Sequence, residues 1–223
     1  MNETTIESFG ILKSLACHER LGRFVDSRFS IPHTYRGTGS IQLFILGQDP
    51  TVKNEESRAS ITQVLNLNKH GSLYNYLSRI CTGLGLDLDK SIYATNYLKN
   101  FFIVPPTQIK EISIFKEFAP YWLPLLREEL AEFTHAPIIT LGQPLLSAIV
   151  RGGASPLVRE YWGYTDNWKS GKTGAFWYLE PGKNILGRTV FPFPHQPAVG
   201  KRFYADQFRG YVAFMKQETS ISA

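Results

Sequence analysis

Apolar runs that stop abruptly at glycine or at a polar side chain recur along this chain and predict its strands. Residues 41–46 form one such run, and Gly47, Gln48, Asp49 and Pro50 end it. Its length and its β-branched residues favour a buried parallel strand, although periodicity alone leaves a short buried helix open. Similar runs predict three further strands, at residues 91–96, 136–141 and 187–195.

Apolar residues at helical spacing predict helices in the remaining segments. Ser72 is expected to cap one helix, and Gly83 and Gly85 are expected to end it. In a later helix, Pro120 or Pro124 is expected to break or restart the helical path. The predicted helices cover residues 6–29, 72–86, 111–133, 145–150 and 204–216.

Strands that alternate with helices predict an α/β fold. We expect a three-layer α/β/α sandwich around a central, mainly parallel, four-stranded sheet. One domain is expected to span residues 1–223, with N-terminal helices over about 6–30 and a frayed polar tail over about 217–223. Residues 51–60 are expected to form an exposed polar loop, and residues 175–179 an additional edge strand.

The composition limits the class of protein. Lys and Arg number 24 against 19 Asp and Glu, and the resulting net charge of +5 permits a polyanionic partner without requiring one. The two cysteines, Cys17 and Cys81, exclude a cysteine-rich metal or cluster site and favour a reduced compartment. No apolar stretch approaches the ~20 residues that span a bilayer. We therefore expect an intracellular protein that is neither secreted nor inserted into a membrane.

Polar side chains stand where three of the predicted strands end. Asp49 follows the first strand, Asn96 ends the second and His195 follows the last. Ligands bind at the carboxyl ends of parallel strands, so these residues are candidates for chemistry. Each also has a purely structural explanation: Asp49 as a helix cap or loop brace, Asn96 as a turn residue, and His195 as a partner of the backbone.

Taken together, these residues resemble the motifs of the uracil-DNA glycosylase superfamily. The Gly47-Gln48-Asp49-Pro50 tetrad, Asn96 and the loop at residues 195–199 occur in the same order as in that family. Weaker likenesses are His70-Gly71-Ser72-Leu73 before a helix, residues 94–99 followed by prolines, and residues 138–142. The resemblance covers roughly residues 41–215.

The resemblance implies an enzyme that hydrolyses the N-glycosidic bond of uracil or a related damaged base in DNA, in base-excision repair and without a cofactor. This cleavage builds positive charge on the sugar and negative charge on the base, so an anion is needed near one and donors near the other. By similarity, Asp49 would orient a water and stabilise the sugar cation, and His195 would donate to the uracil oxygen. The residues that would bind the base are Gly47, Gln48, Thr51 and Asn96, the last through its Watson–Crick edge.

The resemblance also implies how DNA is bound, with the protein acting as a monomer. Val199 occupies the position of an apolar wedge that fills the gap left by the flipped base. Lys201 and Arg202 would contact the flanking phosphates, and Lys169 and Lys172 are further candidates to face phosphates. The alternative for the segment after His195 is an ordinary exposed loop with two cations.

The chain departs from the family at several positions. Thr51 follows the tetrad, where the best-known uracil enzymes have a tyrosine that excludes the methyl group of thymine. The family stacks the flipped base on an aromatic ring shortly after the acid, but residues 62–67 contain no aromatic residue. Stacking on an aromatic ring contributes ~1–3 kcal/mol, so its loss predicts weaker activity or a shifted substrate. Gln196 replaces a proline, and the cysteines of the iron–sulfur branch are missing, so no cluster is expected.

Other functions stay open at this point. One is a glycosylase-like nucleic-acid-binding module that is catalytically weak or inactive. Another is a small-molecule hydrolase or nucleotide-binding protein, but the chain has no Gly-x-Ser-x-Gly elbow, phosphate-loop motif or Gly-x-Gly-x-x-Gly turn. A Cys17 or Cys81 nucleophile is the weakest alternative, because isolated cysteines on helical stripes are usually packed thiols.

Overall fold

A five-stranded, mostly parallel sheet lies at the centre of the fold in a computed structural model, which describes residues 3–164 and 174–219. The strands are β1 (Tyr35–Arg36), β2 (Leu43–Gly47), β3 (Ile92–Asn96), β4 (Ile138–Leu141) and β5 (Val190–Phe193). They are arranged in the order β1-β3-β2-β4-β5. Every residue of β2, β3, β4 and β5 is buried, as expected for parallel strands that are covered on both faces.

The predicted α/β class is confirmed, but the predicted number of four strands is wrong. All four predicted strands form, and they pair in parallel with one another. The additional strand, β1, pairs antiparallel with β3, with Tyr35 opposite Ala94 and Arg36 opposite Tyr93. Because β1 has only two residues, it has no hydrophobic period that a sequence pattern could detect.

Helices account for most of the remaining regular structure. The α-helices are α1 (Glu3–Ala16), α2 (Glu55–Arg58), α3 (Ser72–Leu84), α4 (Leu88–Ser91), α5 (Ile114–Glu132), α6 (Gln143–Ile149), α7 (Val158–Tyr161) and α8 (Arg202–Thr219). α3 packs against α8, and α5 contacts both α1 and α6. Short 3-10 helices lie at Gly22–Phe24, Val64–Asn66, Pro106–Gln108, Pro181–Lys183 and Gln196–Ala198. No helix in the described ranges is long and apolar enough to cross a membrane.

Two predicted helix features differ in the structure. α5 continues through both Pro120 and Pro124 instead of breaking, because both prolines are exposed while Phe118 and Trp122 on its other side are fully buried. Packing of that apolar side outweighs the two missing backbone hydrogen bonds. Ser72 is the first residue of α3 rather than its cap, which is Gly71, whereas Gly85 ends α3 in the left-handed conformation as predicted.

Several segment boundaries also differ from prediction. The first helix ends at Ala16, and only the short turn Gly22–Phe24 follows where helix was expected up to about residue 30. Residues 175–179 do not form an edge strand, because only Leu179 makes a bridge, to Val190. α8 continues to Thr219, through part of the tail that was expected to fray, while residues 220–223 lie outside the described ranges.

One hydrophobic cluster joins the elements, and it runs along the chain from Leu12 to Met215. A buried ion pair lies against it, between Lys99 after β3 and Glu129 on α5, which are 5% and 4% exposed. Lys99 Nζ donates to both carboxylate oxygens of Glu129 at 2.8 Å and to Thr95 Oγ1 at 2.6 Å. Burial lowers the pKa of Lys99, and the adjacent carboxylate opposes that change.

We expect Glu129→Gln to lower the free energy of unfolding by about 3–5 kcal/mol, because the substitution leaves the buried Lys99 ammonium without its carboxylate. The double variant Lys99→Met with Glu129→Leu should be within about 1 kcal/mol of the parent, because it removes both charges from the interior. Urea denaturation of the three proteins at pH 7 measures the difference. A loss below about 1 kcal/mol in Glu129→Gln would show that the pair is not needed for stability.

Candidate active site

The carboxyl edge of the sheet carries the residues that the sequence singled out. β2 and β3 pair in parallel with Gly47 opposite Asn96, so the turn that contains Asp49 leaves the sheet beside Asn96. β5 lies on the other side of β2, beyond β4, and His195 follows its end. Since these strands are parallel, all three residues lie at one edge, where α/β proteins bind ligands.

Asp49 is half-buried in the turn after β2, and two hydrogen bonds hold its carboxylate. Gln48 Nε2 donates to Oδ2 at 2.8 Å, and the backbone N–H of Thr51 donates to Oδ1 at 2.8 Å. Desolvation raises the pKa of Asp49 to about 6, although the hydrogen bonds from Thr51 and Gln48 oppose this rise. The group is therefore mostly ionised at pH 7, and it can act as an anion or as a base close to neutral pH.

Thr51 braces this turn with both its backbone and its side chain. In addition to the N–H bond to Asp49, its hydroxyl oxygen accepts a hydrogen bond from the backbone N–H of Phe102 at 2.9 Å. The carbonyls of Gly47 and Gln48 in turn accept from the N–H groups that follow β3, those of Tyr97 and Leu98, at 2.9 and 3.0 Å. The turn that carries Asp49 is thus fixed to the segment after β3.

Asn96 has a buried carboxamide oxygen without a hydrogen-bond partner. The residue is 1% exposed, and its Oδ1 has no donor among the residues that the structure describes. The oxygen lies over the backbone of Gly47, so close that a Cβ at position 47 would be 2.3 Å from it. Only glycine fits beneath this oxygen, which explains the residue type at Gly47. A buried polar atom without a partner is costly, and it commonly marks a place where a ligand supplies the missing bond.

Leu65 is a residue of this site that sequence reasoning missed. Its Cδ2 lies 2.7 Å from the same hypothetical Cβ of Gly47, so Leu65 covers Gly47 beside the Asn96 oxygen. Its backbone is left-handed, with φ 57° and ψ 14°, and Asn66 follows with φ 54°. Such a conformation is strained for leucine, and surrounding structure must impose it. The segment at residues 62–67 was the correct region to search, but no sequence signal predicts a left-handed leucine.

His195 precedes the turn Gln196–Ala198, and its carbonyl accepts from Ala198 N at 2.7 Å. The backbone passes the end of β4 at Gly142, where a Cβ would lie 3.5 Å from the Cβ of His195. Gly142 has φ 95°, a conformation that favours glycine. The residue as a whole is exposed, yet nearby protein atoms lower the pKa of its ring by desolvation. The ring is therefore mainly neutral at pH 7 and can donate one N–H.

The predicted DNA-contacting residues follow His195 at the start of α8. Lys201 and Arg202 are exposed, and the Arg202 side chain makes only a long contact to Asp206, with N to O at 3.8 Å. Val199 is half-buried and packs against the core cluster. Two cations are thus available to solvent beside the His195 turn. The further candidates Lys169 and Lys172 lie outside the described residues.

A large cavity of about 750 Å³ lies between α1, α5, β3 and the segment before β1. Asn96 lines this cavity together with the Lys99–Glu129 pair, whereas Asp49 and His195 are not among its described lining residues. The Lys99 ammonium is occupied by Glu129 and Thr95, as described above. Of the three strand-end residues, only Asn96 lines this cavity, and the buried Lys99 and Glu129 side chains that line it are paired with each other.

The described side chains form neither a cluster of metal ligands nor a reactive buried thiol. Residues 3–164 and 174–219 contain no group of three or more His, Cys, Asp or Glu side chains that could hold a metal ion. Cys81 is 1% exposed, and burial raises its pKa to about 12, so its thiol is not a nucleophile at neutral pH. Cys17 is exposed and forms no disulfide.

We expect Asp49→Asn to raise the free energy of unfolding at pH 7.5 by about 3 kcal/mol, because folding raises the pKa of Asp49 from 3.8 to about 6. Below about pH 6 the folded parent takes up a proton that the unfolded chain does not bind. Parent stability therefore rises relative to the variant as the pH falls, and the difference disappears below about pH 4. Urea denaturation at several pH values measures this, and a variant less stable than the parent at pH 7.5 would contradict it.

No protein-family model matches the chain, and a search of curated proteins finds no match. The site itself combines a half-buried carboxylate, a buried amide oxygen that lacks a donor among the described residues, and a neutral histidine at one edge of the sheet.

Proposed function

We propose that this chain is a DNA glycosylase of the uracil-DNA glycosylase type, which hydrolyses the N-glycosidic bond of uracil or a related damaged base. One observation carries the proposal: the buried amide oxygen of Asn96 has no donor and lies beside the turn that holds the Asp49 carboxylate. A flipped base would supply an N–H to this oxygen. Helices α3 and α8 in one group and α5 with α1 and α6 in another are compatible with the three-layer arrangement of this type.

The charges of the site suit the reaction. Water adds to C1′ of the sugar, the bond from C1′ to the base nitrogen breaks, and its electron pair remains on the departing base. The ionised Asp49 would stabilise the cationic sugar and take up the proton that the water releases. His195, mainly neutral at pH 7, would donate its N–H to the base oxygen on which negative charge accumulates.

The DNA backbone would lie across the exposed surface that follows His195. Lys201 and Arg202 are available for phosphates, and the chain carries a net charge of +5. Val199 is placed between them and His195, where an apolar side chain would enter the gap left by the flipped base. Its half-buried position leaves only part of the side chain available as a wedge.

The walls of the proposed base pocket favour a substrate range broader than uracil. Leu65 covers Gly47 with an aliphatic side chain, and we infer that it would form the wall against which the family stacks the base on an aromatic ring. Thr51 is engaged with Asp49 and Phe102, so its side chain does not act as a bulky barrier to a methyl group. Weak discrimination between uracil and thymine follows from the small side chain at Thr51.

A catalytically weak or inactive DNA-binding module is the second candidate function. The observation that favours it is the aliphatic Leu65 wall, since a missing aromatic stack removes ~1–3 kcal/mol of base binding. The two candidates differ in whether free base is released, not in whether DNA is bound. One assay therefore separates them.

The decisive assay presents oligonucleotides that contain uracil, a thymine mismatch, hypoxanthine or xanthine, and detects abasic sites by alkaline cleavage. We expect cleavage at uracil, and a fall of at least ~100-fold in Asp49→Asn and in His195→Ala, since each loses a group that stabilises charge in the transition state. Asn96→Ala should lower the rate as well.

Asp89→Asn is the matched control, because Asp89 lies on α4 at the amino end of β3, on the opposite edge of the sheet. Intact substrates under excess parent enzyme, on single and double strands, would overturn the enzyme proposal. DNA binding that survives Asp49→Asn, without base release by the parent, would select the binding module.

We expect Leu65→Phe to lower KM for uracil-containing single strands about 5-fold, because an aromatic wall adds ~1 kcal/mol of stacking on the base. The left-handed backbone at position 65 is no more strained for phenylalanine than for leucine. Steady-state kinetics of the parent, Leu65→Phe and Leu65→Met separate stacking from side-chain size. If Phe and Met change KM equally, Leu65 does not contact the base face.

A further inference from the structure

Arg58 is a buried cation in the loop after Asp49, at the end of α2. The residue is 3% exposed, although the polar segment around it was expected to be an exposed loop. All of its neighbours from Val52 to Ser60 are exposed. A guanidinium in this position loses its hydration, so the structure must replace it with protein hydrogen bonds.

Four hydrogen bonds hold the Arg58 guanidinium, and they join three separate segments. Nε donates to the carbonyl of Val52 at 3.0 Å, and Nη1 donates to the carbonyls of Phe102 and Ile103, each at 3.0 Å. Asp26 Oδ2 also lies 3.0 Å from Nη1, so the two N–H groups of this nitrogen are shared among three acceptors. Asp26 is itself 2% exposed. The planar fork of arginine suits this number of acceptors, whereas lysine could not reach all of them.

A series of hydrogen bonds connects Arg58 to the carboxylate of Asp49. Arg58 fixes the Val52 carbonyl and the Phe102–Ile103 segment against each other. The N–H of Phe102 donates to Thr51 Oγ1, and the N–H of Thr51 donates to Asp49 Oδ1. Each contact in this series is a direct hydrogen bond of 2.8–3.0 Å. We therefore expect the position of the Asp49 carboxylate to depend on the backbone segments that Arg58 holds, at Val52 and at Phe102–Ile103.

We propose that Arg58 is a positioning residue for the reaction, which holds the backbone on both sides of Thr51, through the Val52 carbonyl and the Phe102–Ile103 segment, so that the Thr51 N–H keeps the Asp49 carboxylate oriented toward the base site. This inference rests on the proposed function of Asp49. Arg58 does not contact the reacting atoms; it acts through Val52, Phe102 and Thr51.

Arg58 belongs to a group of charged side chains that pair with one another. Asp26 pairs with Arg58 and also with Arg28, whose guanidinium binds both Asp26 oxygens and Glu55. The hydrogen bond from Arg28 lowers the pKa of Asp26, so this carboxylate stays ionised. The groups that face Asp49 are Gln48, Thr51 and the more distant charge of Arg58, which opposes the desolvation that raises the pKa of Asp49.

The experiment compares the parent with Arg58→Met, Arg58→Lys and the control Arg28→Met. Arg28 is the matched control because it binds the same Asp26 carboxylate, but its side chain is 61% exposed. The first readout needs no enzymatic activity: the amide proton shift of Thr51 is followed by NMR as Asp49 titrates between pH 4 and 8. An N–H that binds a carboxylate moves as that carboxylate ionises.

In the parent and in Arg28→Met, we expect the Thr51 amide to titrate with the pKa of Asp49. In Arg58→Met, the change in the Thr51 amide shift across the titration should fall by at least half. The pH midpoint of that titration should rise, because the charge that lowers the pKa of Asp49 is removed. In Arg58→Lys, the amplitude should fall while the midpoint stays near that of the parent, because the charge is kept and the fork is lost. The kcat for base release should fall at least 10-fold in both Arg58 variants, with less than a 3-fold change in KM.

Unchanged Thr51 titration and unchanged kcat in folded Arg58→Met would overturn the inference while the glycosylase proposal stands. An inactive parent in which Arg58→Met still reduces the amplitude of the Thr51 titration by at least half would overturn the glycosylase proposal and leave the structural role of Arg58 in place. If Arg58→Met does not fold, Arg58→Lys and Arg58→Gln provide the same comparison. Equal loss of thermal stability and activity without a change at Thr51 would assign Arg58 to stability alone.

Discussion

The parallel pairing of β2 with β3 is the constraint on which the candidate site depends. Its register sets Gly47 opposite Asn96, and the absence of a side chain at Gly47 lets the Asn96 oxygen lie directly over the backbone. A shift of one residue would turn the Asn96 side chain to the other face of the sheet. The Asp49 turn begins where this pairing ends, and the carbonyls of Gly47 and Gln48 continue it into the segment after β3. The register of the sheet therefore determines the geometry of the candidate site.

Much of the fold follows from sequence because its physical causes are local. The buried parallel strands appear as short apolar runs, and the stop of α3 at Gly85 follows from the freedom of glycine to adopt a left-handed conformation. The features that escape prediction depend on contacts between distant segments. β1 exists only because β3 offers it a partner, and α5 runs through two prolines because its buried side is held by the core.

The same distinction applies to the candidate site. Asp49, Asn96 and His195 can be chosen from sequence, because they are polar residues at strand ends and parallel strands bring their ends to one edge. Leu65 and Arg58 cannot be chosen from the sequence in this way. Leu65 has a backbone conformation that leucine rarely adopts, and Arg58 looks like any surface arginine in a charged loop. Their roles arise from acceptors and neighbours that lie far away in the chain, such as Phe102 and Asp26.

Desolvation links the stability of this edge to its chemistry. It raises the pKa of Asp49 and lowers that of His195, so both groups are shifted toward their neutral forms. At pH 7 the result is one carboxylate and one neutral imidazole, not an ion pair. An ion pair would satisfy both charges within the protein and leave little for a substrate. In the proposed reaction, the separated arrangement would keep an anion available for a developing cation and an N–H available for a developing anion, and the loss of solvation that it requires would strengthen both interactions.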